Sequence, residues 1–214
     1  MQTAPRQRTE RRPPVDKYLE RRAELVEAAL QTLAEMGYAR TSLREIAQKS
    51  RFSHGAIHYY FSDKVDLIAY CVREYKAKCV KRYDQIVLDA TSYQELESRF
   101  AEGLVQTLRE EALLHRLWYD LRAQALYEDA FRADVHEIDK SLEQMVWRVI
   151  SRAFALSGKE PGISPPVAYA ALDGLFQSAL LNFLNEDPDA LPNLKDRVCE
   201  FLSLACQTQK PAGS

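Results

Sequence analysis

The stretch SLREIAQKSRFSHGAIHYYF at residues 42–61 reads as two short helices joined by a three-residue turn. Ser42 and Glu45 stand in the S-x-x-E spacing of a capping box, in which side chain and backbone satisfy each other's free donors, so a helix opens there. Leu43, Ile46 and Ala47 supply its inward face, and Ser50, Arg51 and Phe52 form the turn. Ser53 is a good N-cap for a further helix over 53–60. Gly55 and Ala56 near its start would let backbones come close, and Ile57 and Phe61 would anchor it to a core. A short helix that carries polar and aromatic donors and ends in His58, Tyr59 and Tyr60 suits a DNA major groove. The expectation is a sequence-specific binder of duplex DNA.

Outward from this motif the chain is helical throughout. Over 16–36, Leu25, Val26, Ala29, Leu30 and Leu33 recur at three and four, which is one face of a helix. Gly37 ends it as a C′ glycine does. Ser62 is expected to cap a fourth helix, with Asp63 and Asp66 at its positive end. The apolar stripe Ile68, Val72, Tyr75, Cys79, Tyr83 and Ile86 makes that helix long enough to couple a head to a body. Ser92 and Glu95 repeat the capping-box spacing before a helix to about residue 110. Further helices are expected over about 113–127 and 131–156, over 164–185 with Pro165 at its first position, and over about 192–207. The result is an all-α protein of about nine helices, with a basic tail at 1–15, a helix-turn-helix head at 16–80 and a larger helical body at 81–210.

Charge divides along the same line. Residues 1–82 carry 17 Lys+Arg against 10 Asp+Glu, and residues 83–214 carry 12 against 21, within a net charge of −2. A basic head on an acidic body suits a polyanion binder fused to a module with another task. Arg6, Arg8, Arg11 and Arg12 in the tail fit either an arm that reaches DNA or a solvated leader. Cys71, Cys79, Cys199 and Cys206 form no CxxC pair and sit among apolar residues, as buried reduced thiols do. No apolar run approaches the roughly 20 residues of a membrane span, and no secretory signal is expected. The expected location is cytoplasmic, with no membrane contact.

In a helix-turn-helix the first helix braces across the backbone and the second reads the groove. Thr41, Ser42 and Arg44 lie where the brace helix begins, and its amides can meet a phosphate there. On the reading helix His54, Ala56 and His58 are expected to point toward base edges, with Ser53 and Gly55 at its start. Tyr59, Tyr60 and Lys64 are placed for phosphates, contacts that position a protein without reading sequence.

The segments AELVEAALQTLAEMGY at 23–38, TSLREIA at 41–47 and SHGAIHYYFSDKVDL at 53–67 resemble the DNA-binding domain of the TetR family of transcriptional regulators. The segment LWYDLRAQALYEDAFRADV at 117–135 is similar to the body of the BetI-like subgroup. Two positions depart from the family's habit. Arg51 stands where glycine is frequent, at a cost of about 1 kcal/mol if that residue is left-handed. His54 stands where lysine is frequent.

The resemblance implies a repressor that binds a double-stranded, near-palindromic DNA operator as a homodimer. The dimer would form through the last two helices, which are apolar over more than one stripe. It also implies release by a small-molecule ligand held in the body. Candidate ligand-binding residues are Trp118, Tyr119, Arg122, Tyr127, Trp147, Phe176 and Asn182, although aromatics at helical spacing also describe plain core. Arg122 could meet an anionic ligand or pair with Asp120 or Glu128 at the surface.

No cofactor is implied. Three other readings compete. A metal-responsive regulator could use His54 and His58, at a zinc-ligand spacing, with Cys71 or Asp63. An enzyme would need a catalytic motif, which the sequence lacks; His115, His136, Glu137 and Asp139 read as scattered surface residues. A helical adaptor that does not bind DNA would leave the basic head unexplained.

Overall fold

The computed structural model describes residues 14–159 and 162–206. Among these lie eight α-helices, one 3-10 turn and no strand. The helices are α1 (Pro14–Met36), α2 (Leu43–Lys49), α3 (His54–Tyr60), α4 (Lys64–Asp89), α5 (Tyr93–Gln124), α6 (Arg132–Ser157), α7 (Pro165–Leu184) and α8 (Ala190–Ala205), with the 3-10 turn at Asp129–Phe131 before α6. The arginines of the basic tail lie outside the described residues, while Pro14 and Val15 already belong to α1.

The helix ends follow their local signals. Gly37 takes φ +77° and its N–H bonds the Leu33 carbonyl at 2.8 Å, a left-handed stop that a side chain would strain. Both halves of the Ser42–Glu45 capping box are formed. The start of α4 differs from expectation. Its cap is Asp63, whose carboxylate accepts the Asp66 N–H at 2.9 Å, while the Ser62 N–H and hydroxyl both donate to the Asp66 carboxylate. An ionised carboxylate satisfies a helix amide better than a hydroxyl does, so the second candidate takes the position. Arg51 is not left-handed; the expected strain is absent, and its guanidinium pairs with Glu24.

The helices expected over 92–110 and 113–127 are one 32-residue helix bent at Glu111, where φ −125° and ψ 22° leave the helical region. Two amphipathic segments that share an inward stripe need no loop between them, only a local change of direction.

The buried apolar residues form two clusters. The smaller one joins α1, α2, α3 and the start of α4 through Leu25, Ala29, Ile46, Ile57, Phe61 and Leu67. The larger one fills the body. Helix α4 belongs to both: Leu67 and Cys71 face the first cluster, and Ile68, Val72, Tyr75 and Cys79 face the second. In the body α4 packs on α6, α5 on α8, and α7 on both α6 and α8.

One expectation about composition is corrected. Helix α7 is, by length and composition, apolar enough to cross a membrane, with a mean hydropathy of 1.3 over its window. Only Asp173 in it is charged. Ala168, Leu172, Phe176 and Ala179 face the body core, and Val167, Ala170, Gly174, Ser178 and Leu181 face outward. Of the cysteines, Cys71, Cys79 and Cys206 are buried, Cys199 is half-buried, and all four are free.

Candidate nucleic-acid interface and internal cavity

Helix α3 is held by one buried residue, Ile57, and by Phe61 just beyond its end. Ser53 caps it, its hydroxyl accepting the Ala56 N–H at 3.1 Å. This leaves a face of His54, Gly55, His58 and Tyr59 fully open to solvent. The His54 and His58 rings meet edge to face at 4.7 Å, as i, i+4 neighbours do. Ala56 does not join them. Two residues along a helix is more than half a turn, and Ala56 packs against the head core instead. Among the described residues nothing lies within 4 Å of where a Gly55 Cβ would sit, so no other backbone of the head packs closely on it.

Tyr59 is 73% exposed, and Tyr60 is half-buried against the head core. Both rings meet Tyr18 of α1, at 6.0 and 5.0 Å. Tyr18 was not singled out from the sequence, although it stands between two exposed cations, Lys17 and Arg21. Loss of the Tyr59 hydroxyl in Tyr59→Phe is expected to weaken duplex binding about fivefold with the melting temperature unchanged. An equilibrium titration at fixed salt checks this, and equal affinity would remove Tyr59 from the phosphate contacts.

The start of the brace helix α2 is less free than expected. Thr41 is 2% exposed and donates its hydroxyl to the Gly37 carbonyl at 2.8 Å. The Ser42 hydroxyl and N–H both donate to the Glu45 carboxylate, which these bonds hold below its ordinary pKa. Of the three residues only Arg44 presents an open, exposed cation. Lys64 also turns inward. Its ammonium donates to the Tyr38 carbonyl at 2.6 Å and lies 3.9 Å from the centre of the Tyr38 ring.

Lys64 thereby joins a junction between head and body. The Tyr38 N–H donates to Asp120 at 2.9 Å, its hydroxyl donates to Glu128 at 3.0 Å, and its ring meets Phe131 edge to face. Burial, and then Glu128, push the Tyr38 phenol up to about 12. Arg116 donates to the Ala34 carbonyl beside it.

A partly open cavity of about 70 Å³ lies in the body between α4, α5, α6 and α7. Three residues expected at a ligand site line it: Trp118, Tyr119 and Phe176. Arg122 stands beside them and pairs with Asp173 and Asp139, not with Asp120 or Glu128. Tyr127 is 83% exposed on the turn after α5, and Trp147 and Asn182 do not line the cavity. Helix α5 stops before Tyr127, so the periodic inward face ends there.

His115 is buried, contrary to the surface role expected for it. It anchors a chain of polar groups. Arg82 donates to Glu111 at 2.8 Å, and the Tyr75 hydroxyl donates to Glu111 at 2.8 Å. The same hydroxyl lies 2.9 Å from His115 Nε2, and Lys76 Nζ lies 3.3 Å from His115 Nδ1. Tyr75 has spent its single proton on Glu111, so this network assigns the histidine proton to Nε2 and leaves Nδ1 to accept from Lys76. Burial and the neighbouring Lys76 hold the histidine well below its ordinary pKa, in accord with a neutral ring. Lys76 is not among the residues singled out from the sequence, although it falls on the inward side of α4. Among the described residues no group of three or more His, Cys, Asp or Glu side chains comes together as metal ligands do, and Cys71 lies in the head core, its thiol donating to the Val26 carbonyl.

Residues 25–71 match the family described as bacterial regulatory proteins, tetR family. The chain is similar to the HTH-type transcriptional regulator PksA of Bacillus subtilis, with 24% identity over 80% of this chain and 84% of the relative. It is similar to the HTH-type transcriptional regulator BetI of Proteus mirabilis, with 23% identity over 86% of this chain and 90% of the relative. Its fold resembles the transcriptional regulator FadR of Bacillus subtilis, solved in complex with stearoyl-CoA, with a TM-score of 0.68, 18% identity, and coverage of 84% of this chain and 96% of that one.

Proposed function

We propose, from the match of residues 25–71 to the tetR family of bacterial regulatory proteins and the likeness to curated regulators of transcription, that the chain is a homodimeric TetR-family repressor, released from a near-palindromic operator by a small molecule held in the body cavity. The observation that carries this reading is the double membership of α4. Leu67 and Cys71 brace the core beneath the reading helix, while Lys76, Cys79 and Tyr83 of the same helix line the cavity. A ligand that shifts α4 from the cavity side moves the support of α3. To carry the protein from 99:1 bound-competent to 1:99 it must prefer the released form by roughly 10⁴-fold.

The uncharged outer stripe of α7 supports dimerisation. Small residues at 170, 174 and 178 let a second helix approach closely, and Val167 and Leu181 at its ends would be covered. Base reading falls to His54 and His58, and phosphate positioning to Tyr59, Tyr60 and Arg44, with Lys64 bracing the loop at 37–41. Two heads in one dimer set half-sites about one helical turn apart. Selection of random duplexes on the purified protein, followed by sequencing, tests the reading. A palindromic consensus is the expected result. No enrichment with a well-folded dimer would overturn it.

A further inference from the structure

We infer that the body cavity binds a small apolar monocarboxylate, with the carboxylate held by Lys76 and Trp118. The inference rests on the reading that the cavity is the ligand site, and it names the ligand's chemistry. Lys76 is 6% exposed, yet no carboxylate among the described residues lies within ion-pair distance of its Nζ. Its nearest polar contact is the bare nitrogen of His115, which satisfies one N–H of three. The ammonium also lies 5.3 Å from the Trp118 ring, and the Trp118 indole N–H, wholly buried, has no acceptor. On the wall of one cavity Trp118 thus has a donor without an acceptor, and the neighbouring Lys76 a charge without an ion-paired carboxylate. Buried donors of this kind are satisfied by an acceptor, and a buried charge by an opposite charge.

Much of the remaining wall is apolar, and the hydroxyls of Tyr83, Tyr119 and Tyr169 on it donate within the fold. Phe100, Leu104, Leu142, Met145 and Val146 offer no polar side-chain group. Asp173, on the same wall, accepts from Arg122 and from the Tyr119 hydroxyl, and Asp139 pairs with Arg122 and accepts the Tyr169 hydroxyl at 2.5 Å. The Arg122 guanidinium lies about 6 Å from the Trp118 and Tyr169 rings and is the cation that both carboxylates already hold. A dianion would bring one charge more than Lys76 balances into an apolar space, since His115 stays neutral. The volume, about 70 Å³, has room for roughly five water-sized groups. That suits a short aliphatic acid of about five non-hydrogen atoms, and neither a ringed acid nor the acyl chain of stearoyl-CoA.

Calorimetric titration of the full chain with acetate and propanoate, against propanamide and propylamine, tests the inference. The acids are expected to bind and the amide and amine to bind at least tenfold more weakly. Lys76→Met is expected to weaken acid binding by about 30-fold or more while leaving the protein folded, and Trp118→Phe to weaken it about fivefold. Amide or amine binding as tight as the acids, acid binding unchanged in Lys76→Met, or no binding of either acid overturns the carboxylate assignment. A parallel operator titration separates this from the wider reading. Acid binding that leaves DNA affinity unchanged upholds the assignment and sinks the release mechanism. Release by a neutral compound does the reverse.

Discussion

Shortening Ile57 to alanine is expected to cost about 3 kcal/mol and to abolish operator binding at physiological temperature. Ile57 is the one buried residue inside the seven-residue α3. Isolated helices of this length do not persist in water, so α3 exists only because Ile57 and the following Phe61 hold it to the head core. That core is small, and a lost side chain there leaves a cavity that two short helices and a turn cannot close. Ile57 touches no DNA in the proposed arrangement, so the loss would come wholly through folding. Ile57→Val, which removes one methyl group, is expected to cost about 1 kcal/mol and to keep operator binding. Chemical denaturation with a parallel binding titration distinguishes the cases. An alanine variant that melts and binds as the parent does would mean that α3 is positioned by something other than its core contact.

Lys76→Met is expected to stabilise the protein by about 2–3 kcal/mol at neutral pH. Burial lowers the Lys76 pKa from 10.5 to about 8, so the folded state holds the proton less tightly than the unfolded chain does. Below pH 8 both states are protonated and the whole cost of the buried charge is present. Between about 8 and 10.5 the folded protein releases the proton while the unfolded chain keeps it, so this group's contribution improves as pH rises. The methionine variant should therefore lead most below pH 8, and its lead should fade toward 10.5. Melting curves of the two proteins across that range measure the difference directly. A variant no more stable than the parent at pH 7 would mean that the ammonium is compensated within the fold. A stability cost at a cavity wall is what a binding site retains, because the same charge returns its value when the ligand arrives.

The head was legible in the sequence because its signals are local. Gly37, the Ser42–Glu45 box and the Ser53 cap each act within four residues, and each is where the reading put it. The side-chain roles on the head were less legible. Thr41, Ala56 and Lys64 look like surface groups in one dimension, yet each turns inward through a partner that the sequence does not reveal. In the body the inward stripe was the available signal and was read too narrowly. Val72, Lys76, Cys79 and Tyr83 recur at four, three and four, so Lys76 occupies a stripe position. Leu108, His115 and Trp118 follow the same rule on α5. A polar residue on an apolar stripe is the mark of a functional interior, and treating it as scatter hid the cavity's chemistry. Tyr127, chosen for its ring, lies past the end of the stripe and points to solvent.

The interleaving of two cores along α4 bears on how such proteins can be recombined. A chimera that joins this head to a foreign body at residue 80 would cut within a helix whose successive residues, Leu67 and Ile68, then Cys71 and Val72, serve opposite sides. The graft must carry the foreign body's own spacing of inward residues in phase with 67 and 71, or one of the two cores will be turned away from its partner. Exchange of modules in this architecture is therefore limited by rotational phase along one helix rather than by the chemistry of either end.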